Sequence, residues 1–310
     1  MKLPARFPVA GALSAMAVLL FCCSSLQAME RDVVISVYQG PCANGDFAAN
    51  LATVREQVRE AAARNSDFIV FPETFLSGYD SPENVRRGAR RLDDPELAAF
   101  VRESAAHGMV VIVGLAMLDN QDGIHNTALV IHNGKILGTY DKSMLTGGDR
   151  DRLKFVAGKE VPVFEAKGAR FAVIICHDTS FPHPAMIAKL KGAEILFTPH
   201  YNYINARTVD AHRKVVRNSH IGLACLLKLI VARSNVVVTD RPGSVGYGHS
   251  FIMSPQGEML AESELFRQEM LTATVGPGMF KIPYVWADLE EVPRWMRQNL
   301  ADLLVEEGKE

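Results

Sequence analysis

From Arg31 onward, short apolar runs alternate with stretches whose apolar residues recur at helical spacing, a pattern that commits the chain to a mixed α/β architecture. "DVVISVYQ", "DFIVFPE", "MVVIVGLAM", "RFAVIIC" and "AEILFTPH" read as strands. Between the first two, Leu51, Val54, Val58 and Ala62 repeat on one helical face. Asp94 can cap a further helix that has Pro95 in its first turn, Leu97, Phe100 and Val101 on its buried side, and Gly108 as its stop. "TALVIHNGKILGTYDK" is a hairpin turning at Asn133-Gly134, a pair suited to positive backbone angles. Pro184 and Gly192 bracket the helix "AMIAKLK", and a mostly helical stretch is expected from about Thr208 to Arg233. The strand "NVVVTD", a hairpin in "HSFIMSPQGEMLAES" turning at Pro255 to Gly257, and the strand "MLTATV" complete the regular part. No linker divides residues 29–275, so one domain is expected. The tail, residues 276–310, is rich in Pro, Trp and charge, lacks a core pattern and is expected at a subunit interface.

Composition narrows the partners. Thirty-three basic and thirty-five acidic residues leave a net charge of -2, which removes the electrostatic reason to expect nucleic acid or an anionic membrane surface. A small neutral or mixed-charge ligand fits better. The first 28 residues have a basic start at Lys2 and Arg6, an apolar stretch to Cys23 and small residues ending at Ala28. That layout predicts a secretory signal cleaved near Ala28 and a periplasmic or secreted product with no membrane span in the mature chain. If Met29 is the true start, the protein is cytoplasmic. Beyond the leader three cysteines remain, Cys42, Cys176 and Cys225, with no CxxC pair, which suggests neither a disulfide framework nor a zinc ribbon.

Three polar residues share one kind of address, the end of an apolar strand: Glu73 after "FIVFP", Lys142 after "GTYD" and Cys176 after "FAVII". In open α/β sheets such ends face the ligand crevice, where residues distant in sequence can converge. A thiol is a good nucleophile only as thiolate, so it needs a base. Glu73, partly desolvated at its strand end, suits that role. Lys142 favours the thiolate and can stabilise a substrate oxyanion together with the backbone N–H of His177. Taken singly, each reads first as a solvated loop residue or a packed thiol. Taken together, they are expected to converge as an acyl-transfer site.

"FPETFLSGYD", "YDKSML" and "CHDTSFP", in this order, resemble the three signatures of the nitrilase (carbon-nitrogen hydrolase) superfamily, and the likeness extends from about Asp32 to Val275. The resemblance implies a four-layer αββα sandwich and a Glu73-Lys142-Cys176 triad acting without metal or cofactor. It further implies assembly as a homodimer or larger oligomer. Family members place a second glutamate between the lysine and cysteine motifs, and counting back from "KFVAG" the matching position holds Asp151. Tyr79, Asp178, Phe181 and His200, in or beside these motifs, are the candidates to lie next to substrate. "SFPH" stands where the family has Arg-Phe-Pro-Glu, and Ser234 in "ARSN" replaces a glutamate, so the substrate does not transfer with the triad.

The expected activity is hydrolysis of a linear amide or carbamoyl C–N bond through a thioester on Cys176, with a nitrile as the alternative substrate. Two readings of other classes stay open. One is metal-dependent hydrolysis by His177, Asp178, His183 and His200; the other is a noncatalytic ligand-binding protein.

Overall fold

The apolar runs pair into two stacked sheets. The computed structural model describes residues 29–239, 243–281 and 289–305; the leader read in residues 1–28 lies outside them. Along the chain come β1 (Val33–Gln39), α1 (Phe47–Ala63), β2 (Phe68–Val70), α2 (Pro82–Gly88), α3 (Pro95–Glu103), β3 (Val110–Leu118), β4 (Ile124–His132) and β5 (Lys135–Asp141). A π-helical turn (Gly148–Leu153) leads to β6 (Phe155–Val156), β7 (Val163–Ala166) and β8 (Ala169–Val173). A 3-10 turn (Cys176–Ser180), α4 (Pro182–Leu190), β9 (Ile195–His200), β10 (Tyr203–Asn205), α5 (Val209–Leu227) and β11 (Ile230–Asn235) follow. The last elements are β12 (Val237–Val238), β13 (Ser244–Tyr247), β14 (Phe251–Met253), β15 (Met259–Glu262), β16 (Glu269–Val275) and α6 (Arg294–Val305).

One large sheet is ordered β16-β1-β2-β3-β4-β5, with β6 paired to β4; the second is ordered β15-β14-β11-β9-β8-β7, and β10-β13-β12 form a third, small sheet. Their centres are parallel, β1-β2-β3 in the first and β8-β9-β11 in the second. Parallel central strands need cover on both faces, which is why they are apolar throughout instead of alternating. Val33, Ile35, Val37, Phe68, Val70, Val110 and Ile112 point inward to the core shared with the second sheet. Their neighbours Ile69, Phe71, Val111 and Val113 point outward and pack under Leu51, Val54 and Val58 of α1 and Leu97, Phe100 and Val101 of α3. Between the sheets, the Phe68 ring lies 5.2 Å from Phe171 and 5.5 Å from Phe197. On the far side, Ala185 and Ala188 of α4 and Leu223, Ala224 and Leu227 of α5 cover the second sheet. The result is an αββα sandwich.

Several expected boundaries move. The helix read through Arg233 ends at Leu227, where Lys228 turns left-handed at φ 50°, and the β-branched run beginning at Ile230 forms β11 beside β9 instead. The strand read through Cys176 stops at Val173, although Ile174 and Ile175 continue as buried chain. Asn133 (φ 49°) and Gly134 (φ 73°) make the hairpin turn as expected. Part of the tail is helical, in α6, with Trp295 and Leu300 exposed; residues 282–288 and 306–310 lie outside the described region.

Candidate active site

Because β1-β2-β3 and β8-β9-β11 are parallel, their carboxyl ends collect at one end of the sandwich. Glu73 lies three residues beyond β2, Cys176 three beyond β8, and Lys142 directly after β5. The first two reach the site on tightly tied turns. Glu73 N donates to His200 O at 3.2 Å, so the Glu73 turn is tied to β9 of the opposite sheet. Gly114 on β3 lets that turn come close: a Cβ there would sit 2.2 Å from Thr74 N. Cys176 has φ 48°, an uncommon conformation for a side-chain-bearing residue, and opens a 3-10 turn. The leading amides of such a turn, His177 N–H among them, have no acceptor within it.

Glu73 and Lys142 are both almost wholly buried and meet at 2.8 Å. Glu73 Oε1 also accepts from Asn126 Nδ2 at 2.7 Å, and Oε2 from Tyr201 N at 2.8 Å. The charge of the same carboxylate acts on the Cys176 thiol. Burial opposes the Lys142 charge, but Glu73 and the other anionic neighbours hold the ammonium well above its ordinary pKa. Burial, and next Glu73, push the Cys176 thiol up, with Lys142 opposing them. Both effects favour the protonated thiol over the thiolate.

The second carboxylate on Lys142 is Asp149, not Asp151. Asp149 Oδ2 lies 2.9 Å from Lys142 Nζ, whereas Asp151 is exposed. The cause is the π-helical turn, whose wider winding carries Asp149 inward and Asp151 to solvent. Burial resists the Asp149 charge, yet Lys142, the Tyr79 hydroxyl and the Thr146 N–H hold its pKa below the ordinary carboxylate range. Tyr79 belongs to this group: its hydroxyl donates to Asp149 and its ring lies 5.8 Å from Lys142 Nζ.

The other substrate-proximal candidates separate. Asp178 is buried and fully engaged, accepting from Ile175 N (2.7 Å), Tyr140 OH (2.7 Å) and Met144 N (2.7 Å). It fastens the cysteine turn to the segment following Lys142. His200 is buried too: Nδ1 donates to Thr198 O at 2.8 Å and Nε2 faces Thr179 Oγ1 at 3.4 Å. Burial, and next Arg233, keep it neutral. Phe181 lines an open apolar depression of about 460 Å³ between α4 and α5, to which none of the three triad side chains contributes. His177 packs edge-on against it at 5.2 Å. Among the described residues, no group of three or more His, Cys, Asp or Glu side chains is arranged to hold a metal ion, so His177, Asp178, His183 and His200 are not gathered into one site.

Sequence reasoning missed Asn126, Tyr201 and Asn202. Asn126 lies near the start of an antiparallel strand, at the same end of the sheet as the parallel strands' carboxyl termini. Tyr201 and Asn202 follow β9, and Asn202 Nδ2 reaches Cys176 Sγ at 3.5 Å.

Residues 34–281 match the family model described as carbon-nitrogen hydrolase. The chain belongs to that family, within the nitrilase superfamily. This carbon-nitrogen hydrolase is 29% identical to N-carbamoylputrescine amidase of Arabidopsis thaliana over 81% of its own length and 89% of the relative's. An amidase from Nesterenkonia sp. has the same fold, with a TM-score of 0.70 at 20% identity, over 87% of this chain and 96% of the other. A mutant of that amidase, 19% identical with a TM-score of 0.69 over 86% and 96% of the two chains, carries the acetamide moiety of fluoroacetamide covalently on its active site cysteine.

Proposed function

We propose that this enzyme hydrolyses the C–N bond of a small linear amide or carbamoyl compound through a thioester on Cys176. The observation that carries the reading is a buried carboxylate, Glu73, held at 2.8 Å by the Lys142 ammonium at the strand ends where Cys176 opens its turn, close enough for both charges to act on the thiol. Glu73 removes the thiol proton as sulfur bonds to the carbonyl carbon. Lys142 and the His177 N–H stabilise the resulting oxyanion. When the oxyanion collapses, the C–N bond breaks and Glu73 gives its proton to the leaving nitrogen. Water then loses a proton to Glu73 and adds to the thioester; the C–S bond breaks, the acid leaves and the thiol regains its proton. Asp149 and Tyr79 fix the Lys142 ammonium throughout. The similarity to N-carbamoylputrescine amidase and to the Nesterenkonia amidase supports carbamoyl and amide substrates.

An ammonia-release screen over primary amides, ureido acids and nitriles, with Cys176→Ala as the control, tests the reading. Turnover of amides or ureido acids that disappears in Cys176→Ala is the expected result. Activity lost to EDTA but unaffected by iodoacetamide contradicts it. The layout of residues 1–28 supports export, and N-terminal sequencing of native protein is expected to start near Met29; a chain starting at Met1 contradicts export.

A further inference from the structure

The Lys142 ammonium that acts on Cys176 is itself shared between two carboxylates, Glu73 and Asp149. That balance works against an anionic sulfur. A second cation is linked to the thiol through Asn202. Arg233, on β11, is completely buried. Its Nη1 donates to Gly248 O at 3.3 Å and to His249 O, and Nη2 donates to Asn202 Oδ1 at 2.5 Å. Its guanidinium stands 5.7 Å from the Phe251 ring centroid, and Nε has no partner among the described residues. A buried guanidinium ordinarily needs a carboxylate. Among the described residues none is paired with Arg233, and the anion-forming groups whose charge it feels are Tyr247 and Cys176.

Asn202 connects the two. Arginine has only donors, so the amide oxygen of Asn202 must face Arg233 and its NH₂ must face the other way, toward Cys176 Sγ at 3.5 Å. The Asn202 backbone is held as well, N donating to Asn235 Oδ1 at 2.9 Å. A cation drawing on the amide oxygen polarises the amide and strengthens its N–H as a donor.

We propose that Arg233 is a positioning residue that, through Asn202, aims a polarised N–H at Cys176 and stabilises the thiolate as it forms. This rests on Cys176 being the nucleophile. The guanidinium is set in place beforehand and does not reorganise when charge develops on sulfur, the condition under which an electrostatic contribution is largest.

The test measures iodoacetamide alkylation at neutral pH, followed by peptide mapping so that Cys176, Cys42 and Cys225 are each counted. Arg233→Met and Asn202→Leu are each expected to slow alkylation of Cys176 about tenfold, the effect of one pKa unit on a thiolate. Rates at Cys42 and Cys225 are expected to stay unchanged. The double variant is expected to be no slower than the slower single one, because the two residues act in series. A purely structural role has the opposite sign, since loosening the core speeds alkylation. Unchanged or faster alkylation of Cys176 in both variants overturns the proposal, as does a double variant in which the two effects add. Should Arg233→Met not fold, as judged by its melting, Asn202→Leu decides alone, because Asn202 is only half-buried. Failure of the thioester reading is distinguishable: it appears as ammonia release surviving in Cys176→Ala, a result independent of alkylation rates.

Discussion

Lys142 is held by two carboxylates with unequal tasks. Glu73 faces the thiol, while Asp149, with Tyr79 on its other oxygen, only faces the ammonium. Asp149→Asn removes one charge-assisted contact worth about 1.5–3 kcal/mol, so kcat/KM is expected to fall roughly 10- to 100-fold. Asp151→Asn, at an exposed position, is expected to stay within about twofold in the same ammonia-release assay, since surface changes rarely exceed ~0.5 kcal/mol. Equal losses in the two variants would reverse the assignment of the second carboxylate. The candidates Glu73, Lys142 and Cys176 were legible because each follows an apolar run. Asp149 was not, because counting back along the sequence assumes a regular turn and cannot anticipate a π-helical one.

At the scale of elements, the site depends on turns that hold strand ends in place. The Glu73 turn crosses to His200 O of the other sheet and is received by β3 at Gly114. Gly114→Ala puts a methyl 2.2 Å from Thr74 N, where only backbone can give way. The expected result is a loss of about 1–3 kcal/mol in stability together with a lower kcat/KM, measured by denaturant unfolding and ammonia release. A variant with unchanged stability and activity would show that the turn is not tightly seated. Strand and helix types were readable from period and composition, including α1, α3 and the Asn133-Gly134 hairpin. Two things were not. The end of α5 depends on Lys228 adopting a left-handed angle, which nothing in "LLKLIV" marks, so Arg233 was placed on a helix although it belongs to β11. Asn126 escaped notice because a search at strand ends overlooks the first residues of an antiparallel strand.

For the molecule as a whole, the second sheet carries a pH liability. Burial, and next Arg233, push His220 and His249 down to about 3 and hold His200 well below its ordinary value. Each binds a proton in the unfolded chain at a pH where the folded protein excludes it. Stability is therefore expected to be fully present above about pH 6.5 and to fall as pH drops toward about 3. The fall is about 1.4 kcal/mol per pH unit for each net proton. Asp178, pushed up to about 6 by burial, binds a proton in the folded state within the same window and offsets one of the three. Urea unfolding between pH 7 and 4 checks this, and a stability that rises on acidification contradicts it. The central claim is that the sulfur of Cys176 does the chemistry. Its most direct test is residual ammonia release plotted against the fraction of Cys176 alkylated, with that fraction measured by peptide mapping. Activity falling in proportion to Cys176 occupancy, regardless of Cys42 and Cys225, is the predicted result; activity persisting when Cys176 is fully alkylated would contradict it.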